Sequence, residues 1–320
     1  MQYFFTIKDG KIIESVPTGA SIRVITAPTE NEKSQIIKQL EVDSFDFDAA
    51  LDPDEVSRVE FEPGYTTVIW SLPHTGSFDL HAKFDVTPVG FFIQKKSLIV
   101  IMASGEIPFD NKIFDGVKSV YDVLLRYFFY SAKQFSSHLK AIKQTKAKLE
   151  NKLSQSMENK YFLQMFDMSE SLIYYIDSIE ANGAVLTKLL NKHTKMSRES
   201  LKLTQTQIDF LEDVIQENTQ IARQANIYSS VLSGLMDARG NIINNNMNVL
   251  LKNLTIINVV FLPLNLLASM GGMSEFTLIT DHYNVSWQAA YFWFSMTMFV
   301  LGWATWLILN KKMARPNKEE

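Results

Sequence analysis

The chain has 320 residues, of which 46% are hydrophobic and 21% charged, and a net charge of −4. Its lysines and arginines form no basic stripe, which sets nucleic acid aside as a partner; the absence of cysteine excludes disulfides, thiolate metal sites and cysteine nucleophiles, so any metal must be held by oxygen or imidazole. No Gly-rich phosphate loop, Ser-His-Asp arrangement or metal-hydrolase motif occurs, so an enzyme, an organic cofactor and transport driven by ATP within this chain are not expected.

The N-terminus, MQYFFTIKDGKIIES, lacks a basic start followed by a sufficient apolar core, which argues against a cleaved secretory signal and for a cytoplasmic N-terminal region. Residues 1–115 read as a compact α/β domain. Strands are expected at Tyr3–Ile7, Ser21–Ala27, Thr66–Leu72, Gly90–Gln94 and Ser97–Ala103, rich in β-branched and aromatic residues between Gly, Pro, Asn and Asp. Helices are expected over TENEKSQIIKQL and around DFDAALDPDEV. The run Asp43, Asp46, Asp48, Asp52, Asp54 lacks the glycine and closing glutamate of a calcium loop, and His74 and His81 have no further ligands near them in sequence. All of these read as structural.

Between Pro108 and Pro263 there is no proline and there are only four glycines, which predicts long helices, roughly Val117–Leu153, Asn159–Thr194 and Arg198–Met273. They make residues 116–252 a helical stalk. The third would cover on the order of 110 Å at 1.5 Å per residue, more than a membrane needs. Its apolar residues Leu203, Ile208, Leu211, Val214, Ile215, Ile221, Ala222 and Ala225 form a stripe that needs partner helices, the two preceding ones first. The aromatic residues around Tyr127–Tyr130 and at Tyr174 and Tyr175 fit helix packing. The stalk also carries the acidic cluster Glu212, Asp213 and Glu217, for which a solvated face is the plain reading.

Residues 253–274 and 282–310 contain no Asp, Glu, Lys or Arg. Each gap holds about the 20 apolar residues that a membrane-spanning helix requires. The first span is placed at 253–273 and the second at 287–310, the latter with Trp287, Tyr291, Trp303 and Trp306 toward its ends like interfacial belts. Lys252 precedes the first span, Lys311, Lys312, Arg315 and Lys318 follow the second in the basic tail 311–320, and the connection between them has neither Lys nor Arg. That asymmetry puts both termini in the cytoplasm and makes the chain a multi-pass protein of an inner, or plasma, membrane. Residues 274–286 become a short external turn carrying Glu275, Asp281 and His282. Five copies of its two carboxylates would concentrate cations by field, and His282 alone is a weak zinc ligand.

On the first span Asn248, Leu251, Thr255, Asn258, Leu262, Asn265, Ser269 and Gly272 follow at alternating intervals of three and four, on one helical face. Amide and hydroxyl dipoles alternating with leucine collars suit a symmetric pore that holds a hydrated cation and closes by dewetting. A seam between packed helices would use the same small and polar residues.

The sequence resembles the CorA family of divalent-cation channels, whose members show Met-Asn, then Met-Lys-x-Leu-Thr, a proline eight residues after that threonine, and Tyr-Gly-Met-Asn closing the first of two C-terminal spans. Here Met247 and Asn248 precede Leu251, Lys252, Leu254 and Thr255, Pro263 falls eight residues after Thr255, and Gly271, Gly272, Met273 and Ser274 stand at the signature. Met236–Asn248 and Ala50–Pro73 also look like the family's stalk and N-terminal domain. The resemblance implies a homopentameric funnel in the lipid bilayer: an α+β membrane protein with an N-terminal cytoplasmic α/β domain, a long helical stalk, a first span lining a pore for Mg2+, Zn2+, Co2+ or Ni2+ and a second span outside it. It implies Leu251, Leu254 and Leu262 as the hydrophobic gate, with Leu254 favoured over Thr255 for the shared place on the face, and Asn248 as the polar ring at the cytoplasmic exit. It also implies that Asp213 matches an acidic position in a regulatory divalent site between subunits. The departures are Ser274 for the signature asparagine, Gly271 for its tyrosine and no Met-Pro-Glu after it, so a serine hydroxyl stands where the family offers an amide. Proton-coupled zinc uptake and a membrane-anchored helical scaffold are the alternatives.

Overall fold

The computed structural model describes all residues except 41, 75–84, 95, 156–158, 196–202, 284 and 314–320. His81, Arg315 and Lys318 lie outside the described residues. The chain divides into two compact units, Met1–Met236 and Asp237–Glu320.

The first unit opens with a seven-stranded sheet: β1 (Gln2–Lys8), β2 (Lys11–Glu14), β3 (Ile22–Thr26), β4 (Arg58–Glu62), β5 (Tyr65–Pro73), β6 (Val86–Gln94) and β7 (Ser97–Met102). Their order across the sheet is β2-β1-β3-β7-β6-β5-β4. The parallel pair β3 and β7, with Ile22 opposite Leu98, needs a crossover, and the helices α1 (Glu30–Leu40) and α2 (Ser44–Ala49) sit within it. The five expected strands are present. The two that periodicity missed, β2 and β4, are four and five residues long, and both lie at sheet edges, where β2 has no buried residue and β4 has only Val59 buried.

Both faces of the sheet are covered, as the near-continuous apolar runs of β5, β6 and β7 demand. Ile25, Ile69, Phe92, Ile99 and Ile101 pack with Ile36, Val42, Phe47 and Ala50 from the α1/α2 layer. Gly90 is required there, since a Cβ would stand 2.4 Å from that of Ala50. The opposite face presents Val24, Val68, Trp70, Phe91 and Val100 to Leu124, Phe128, Leu186 and Leu211 of the long helices. Trp70 stacks on Phe128 at 4.1 Å between ring centroids, and Tyr127 meets Phe91 edge-on at 4.8 Å.

The aspartate run is absorbed into this layer. Asp43 caps α2 by accepting from the Phe45 N–H at 3.0 Å, Asp48 pairs with Lys33, and Asp52 accepts from the Asp54 N–H at 3.1 Å. Buried Asp46 accepts from Thr67 Oγ1 at 2.9 Å, with burial as the main influence raising its pKa. No two of these carboxylates are left to share a calcium ion.

Three long helices follow: α3 (Val120–Gln155), α4 (Asn159–Lys195) and α5 (Gln205–Gly271). The expected boundaries differ by a few residues except at the start of α5. There Thr204 accepts from the N–H of Gln207 and Gln207 answers to the Thr204 N–H at 2.9 Å, a reciprocal cap that fixes the first turn. Leu211, Val214, Ile221 and Ala225 of the α5 stripe are buried against α3 and α4, so neighbours within the chain consume that stripe. Tyr175 is buried with Phe135 and His138, whereas Tyr174 is exposed.

Two side chains of α4 bond to the sheet: Lys188 donates from Nζ to the Val59 carbonyl at 2.7 Å, and Asn182 reaches the backbone of β5. Fully buried Asn182 donates from Nδ2 to the Ser71 carbonyl at 2.9 Å and accepts from the Ser71 N–H at 3.2 Å. Ser71 needs this because pairing with β4 ends at Arg58, opposite Ile69, which leaves the next outward-facing N–H and carbonyl of β5 without a strand partner. The amide acts as a one-residue strand.

The second unit contains the end of α5, then α6 (Ser274–His282) and α7 (Trp287–Met313). The expected external turn is instead mostly this short helix. Tyr283 N–H closes it onto the Ile279 carbonyl, and Met273 in extended conformation forms the corner before it. Among the described residues two helices are long and apolar enough to span a membrane, the second over Trp287–Leu309. Neither is a core helix, for between Asn253 and Gly271 only Gly271 is buried and no residue from Trp287 to Leu309 is. Apolar surface of that extent belongs in lipid or against protein.

Candidate functional site

Helix α5 near its end has three distinct sides, and the contact with α7 assigns them. Val260, Leu264 and Leu267 are half-buried and Gly271 is buried. A Cβ on Gly271 would stand 2.6 Å from the Phe294 ring, and one on Gly302 would stand 3.0 Å from Leu264. The Tyr291 hydroxyl donates to the Gly271 carbonyl at 3.2 Å. At about 100° per residue these four α5 positions share one side, and Leu251, Asn258, Leu262, Asn265 and Ser269 centre about 160° away from it. The polar stripe thus faces away from α7. Leu254, Asn248 and Gly272 lie toward its edges, the last two because a repeat of seven residues drifts about 20° per heptad on a straight helix.

Every member of the stripe, with Leu254, is exposed. Among the described residues Asn258 and Asn265 make no side-chain hydrogen bond. Thr255, by contrast, turns its hydroxyl back to the Leu251 carbonyl at 2.8 Å. Two amides with free donors and acceptors in the middle of an apolar helix are unstable against hydrocarbon and call for protein or water. Pro263 sits in this stretch without breaking the helix, at the loss of one bond to the Val259 carbonyl.

Gly272, Met273 and Ser274 form the corner between α5 and α6. The Gly272 N–H closes onto the Ala268 carbonyl at 3.1 Å and the Met273 N–H onto Met270 at 3.2 Å, and Ser274 then opens α6. Gly271, the departure from the expected tyrosine, has a reason: Phe294 of α7 occupies the space its side chain would need. Glu275 falls in the first turn of α6, and Asp281 is exposed in its last.

The stalk cluster is split. Glu217 accepts from Lys133 Nζ at 2.7 Å, while Glu212 and Asp213 are exposed. A cavity of about 500 Å³ is lined by Asp54, His74, Asp85, Asp167 and Glu170 among others. Among the described residues no three acidic or histidine side chains converge as a metal site. Sequence reading missed the Lys133 partner, the Asn182 bridge and the α7 residues that shape the first span's end. Only Asn182 had a signal, an amide on the apolar face of a long helix.

Comparison with known proteins agrees with this architecture. The family described as CorA-like Mg2+ transporter protein matches residues 24–312. The chain belongs to the CorA-like Mg2+ transporter family. It is a membrane transporter of divalent cations, with two C-terminal spans, and not an enzyme. The cobalt/magnesium transport protein CorA of Methanocaldococcus jannaschii is 23% identical over 275 residues, 79% of this chain and 82% of that one. The solved CorA magnesium transporter of that organism superimposes with a TM-score of 0.75 at 18% identity, covering 96% of both chains. The full-length CmaX protein superimposes at 0.66 and 12% identity, covering 85% of this chain and 86% of its own.

Proposed function

We propose that several copies of the chain enclose a pore through which divalent cations pass partly hydrated, magnesium and cobalt foremost, with the α5 stripe as its wall. The observation that carries this is the unpartnered pair Asn258 and Asn265, on the side of α5 turned from α7. Amide oxygens there accept from the water shell of an ion, while Leu251, Leu254 and Leu262 close the path by excluding water between visits. Asn248 forms the polar ring at the cytoplasmic end, Ser269 and Gly272 line the outer part, and Gly272, Met273 and Ser274 make the external mouth. Ser274 presents a shorter, weaker dipole than an amide. Magnesium gives up its water reluctantly, so this mouth discriminates poorly among hydrated divalent ions.

The same reading makes the assembly a homopentamer in the plasma membrane with both termini cytoplasmic, Glu275 and Asp281 drawing cations to the mouth. Asp213 and Glu212 are the candidates for a regulatory cation shared between subunits, and Glu217, held by Lys133, is the weaker third. The relative's stated cargo, cobalt and magnesium, supports the choice of ions. The test is uptake of magnesium, cobalt, nickel and zinc into liposomes carrying the purified protein, with and without a pH gradient. Uptake of magnesium and cobalt that ignores the gradient is expected. Zinc uptake that requires it would replace this reading with proton-coupled transport, and no uptake by folded oligomers would leave only a membrane-anchored scaffold.

A further inference from the structure

Between residues 140 and 166 stand six lysines, Lys140, Lys143, Lys146, Lys148, Lys152 and Lys160, against two glutamates, in a chain whose net charge is −4. They are too spread along the sequence to read as a stripe, but the last turns of α3 and the first of α4 gather them at one end of the first unit. Lys152 Nζ lies 5.4 Å from the centre of the Tyr161 ring, which ties the two helices together there. Lys146 is paired with Glu150 at 3.2 Å. The other five lysines are exposed, and among the described residues none of them forms an ion pair. Two large apolar side chains stand uncovered in the turns that follow Lys160, Leu163 exposed by 60% and Phe166 by 53%. The acidic residues of α4 come after them: Asp167 and Glu170 line the cavity shared with Asp54 and Asp85.

This is also the end at which α5 leaves the unit. Leu149 of α3 and Met165 and Met168 of α4 share a buried cluster with Leu232 of α5, and Leu235 and Met236 pack against it. From there α5 continues as one helix into the first membrane span.

We infer that this lysine-rich end binds the anionic phospholipid surface of the leaflet it faces, the lysines on headgroup phosphates and Leu163 and Phe166 in the interface beneath them. The inference uses the two spans and is independent of the pore reading.

Three features select that occupant. The first is charge: a lysine close to an anionic bilayer gains about fivefold in affinity, within a Debye length of about 8 Å. The second is the exclusion of the nearest competitors. A second copy presents the same positive end, and the basic tail with Lys311, Lys312, Arg315 and Lys318 has the same sign, so neither neutralises the unpaired lysines. The third is the mixture of side chains. Lysines beside leucine and phenylalanine suit a surface of phosphate laid over hydrocarbon.

The chain lacks cysteine, so a single introduced one can carry a probe. Ala147→Cys, at an exposed position between Lys146 and Lys148, is labelled with a fluorophore. The full chain is reconstituted in phosphatidylcholine vesicles, with or without phosphatidylglycerol, that contain a lipid bearing a nitroxide quencher on its headgroup. Labelled Val16→Cys, exposed by 66% just after β2, gives the background. Quenching at position 147 is expected to rise about twofold or more when phosphatidylglycerol is present. It should return to background at about 1 M salt, where the Debye length is about 3 Å. Replacing Lys140, Lys143, Lys148 and Lys152 together by glutamine should abolish it, and the salt arm, which keeps the native lysines, decides the matter if that variant does not fold. Quenching that ignores both phosphatidylglycerol and salt, or that never exceeds background, would overturn the inference. So would disulfide-linked dimers of unlabelled Ala147→Cys, which would give this end to a second copy. Magnesium flux is not part of the readout, so failure here leaves the pore reading standing.

Discussion

Replacing Asn182 by leucine removes the bridge between α4 and β5 while nearly preserving volume. The Ser71 N–H keeps an acceptor in Ser57 Oγ at 3.0 Å. The Ser71 carbonyl keeps only Ser131 Oγ at 3.5 Å, too long for a useful bond. An orphaned buried acceptor costs about 1–3 kcal/mol and the lost bond to its neighbour about 1 kcal/mol, so a destabilisation of roughly 2–4 kcal/mol is expected. At about 2–4 °C per kcal/mol for a domain of this size, the first unfolding transition of the full chain in detergent should fall by at least about 4 °C. Circular dichroism against temperature, with wild type and Thr187→Ala in parallel, measures it. Exposed Thr187 bonds only to its own helix at the Gly183 carbonyl, so its loss should change little. A fall under about 1 °C for Asn182→Leu would refute the claim that this amide completes the sheet edge.

Buried His138 lies within 2.7 Å of the Tyr175 hydroxyl, and burial first, then His74, lowers its pKa from the ordinary 6.5 to about 4. The unfolded chain therefore binds a proton that the folded chain refuses between those values, so stability falls as pH drops from about 6.5 to about 4, by up to about 3 kcal/mol. His138→Gln should remove that part of the acid sensitivity, read as the wild-type minus variant difference in denaturant midpoint against pH. Gly271→Ala drives a methyl into the Phe294 ring and should lower the melting temperature in detergent by several degrees, at about 1–3 kcal/mol for an overpacked contact. Gly272→Ala meets only its own helix carbonyls at 3.6 Å and should not lower it comparably. Glu217→Gln breaks a half-exposed pair with Lys133 and should cost no more than about 1 kcal/mol, in a chemical-denaturation comparison.

The long helices and the central strands were legible because their patterns are long and their burial is strong. β2 and β4 were not, since a four- or five-residue edge strand with at most one buried residue carries too little period to see. The position of the segment after Met273 between two spans predicts a turn, but SEFTLITDH has no glycine or proline to break a helix and forms α6. At the candidate site, the spacing of Asn258, Leu262, Asn265 and Ser269 already put them on one face. Which way that face points required α7, whose own composition is apolar all round. Gly271 looked like a lost tyrosine until Phe294 was seen beside it. Glu217 looked like part of a cluster because its cation, Lys133, is 84 residues away.

The polar stripe of α5 conducts ions only if it is the wall of a pore. Its most direct test is magnesium flux into liposomes by Asn265→Leu, set against Phe292→Leu, an exposed position on the other span. Flux lost in the first and kept in the second, with both proteins oligomeric, is the expected result. Equal flux from the two variants would contradict it.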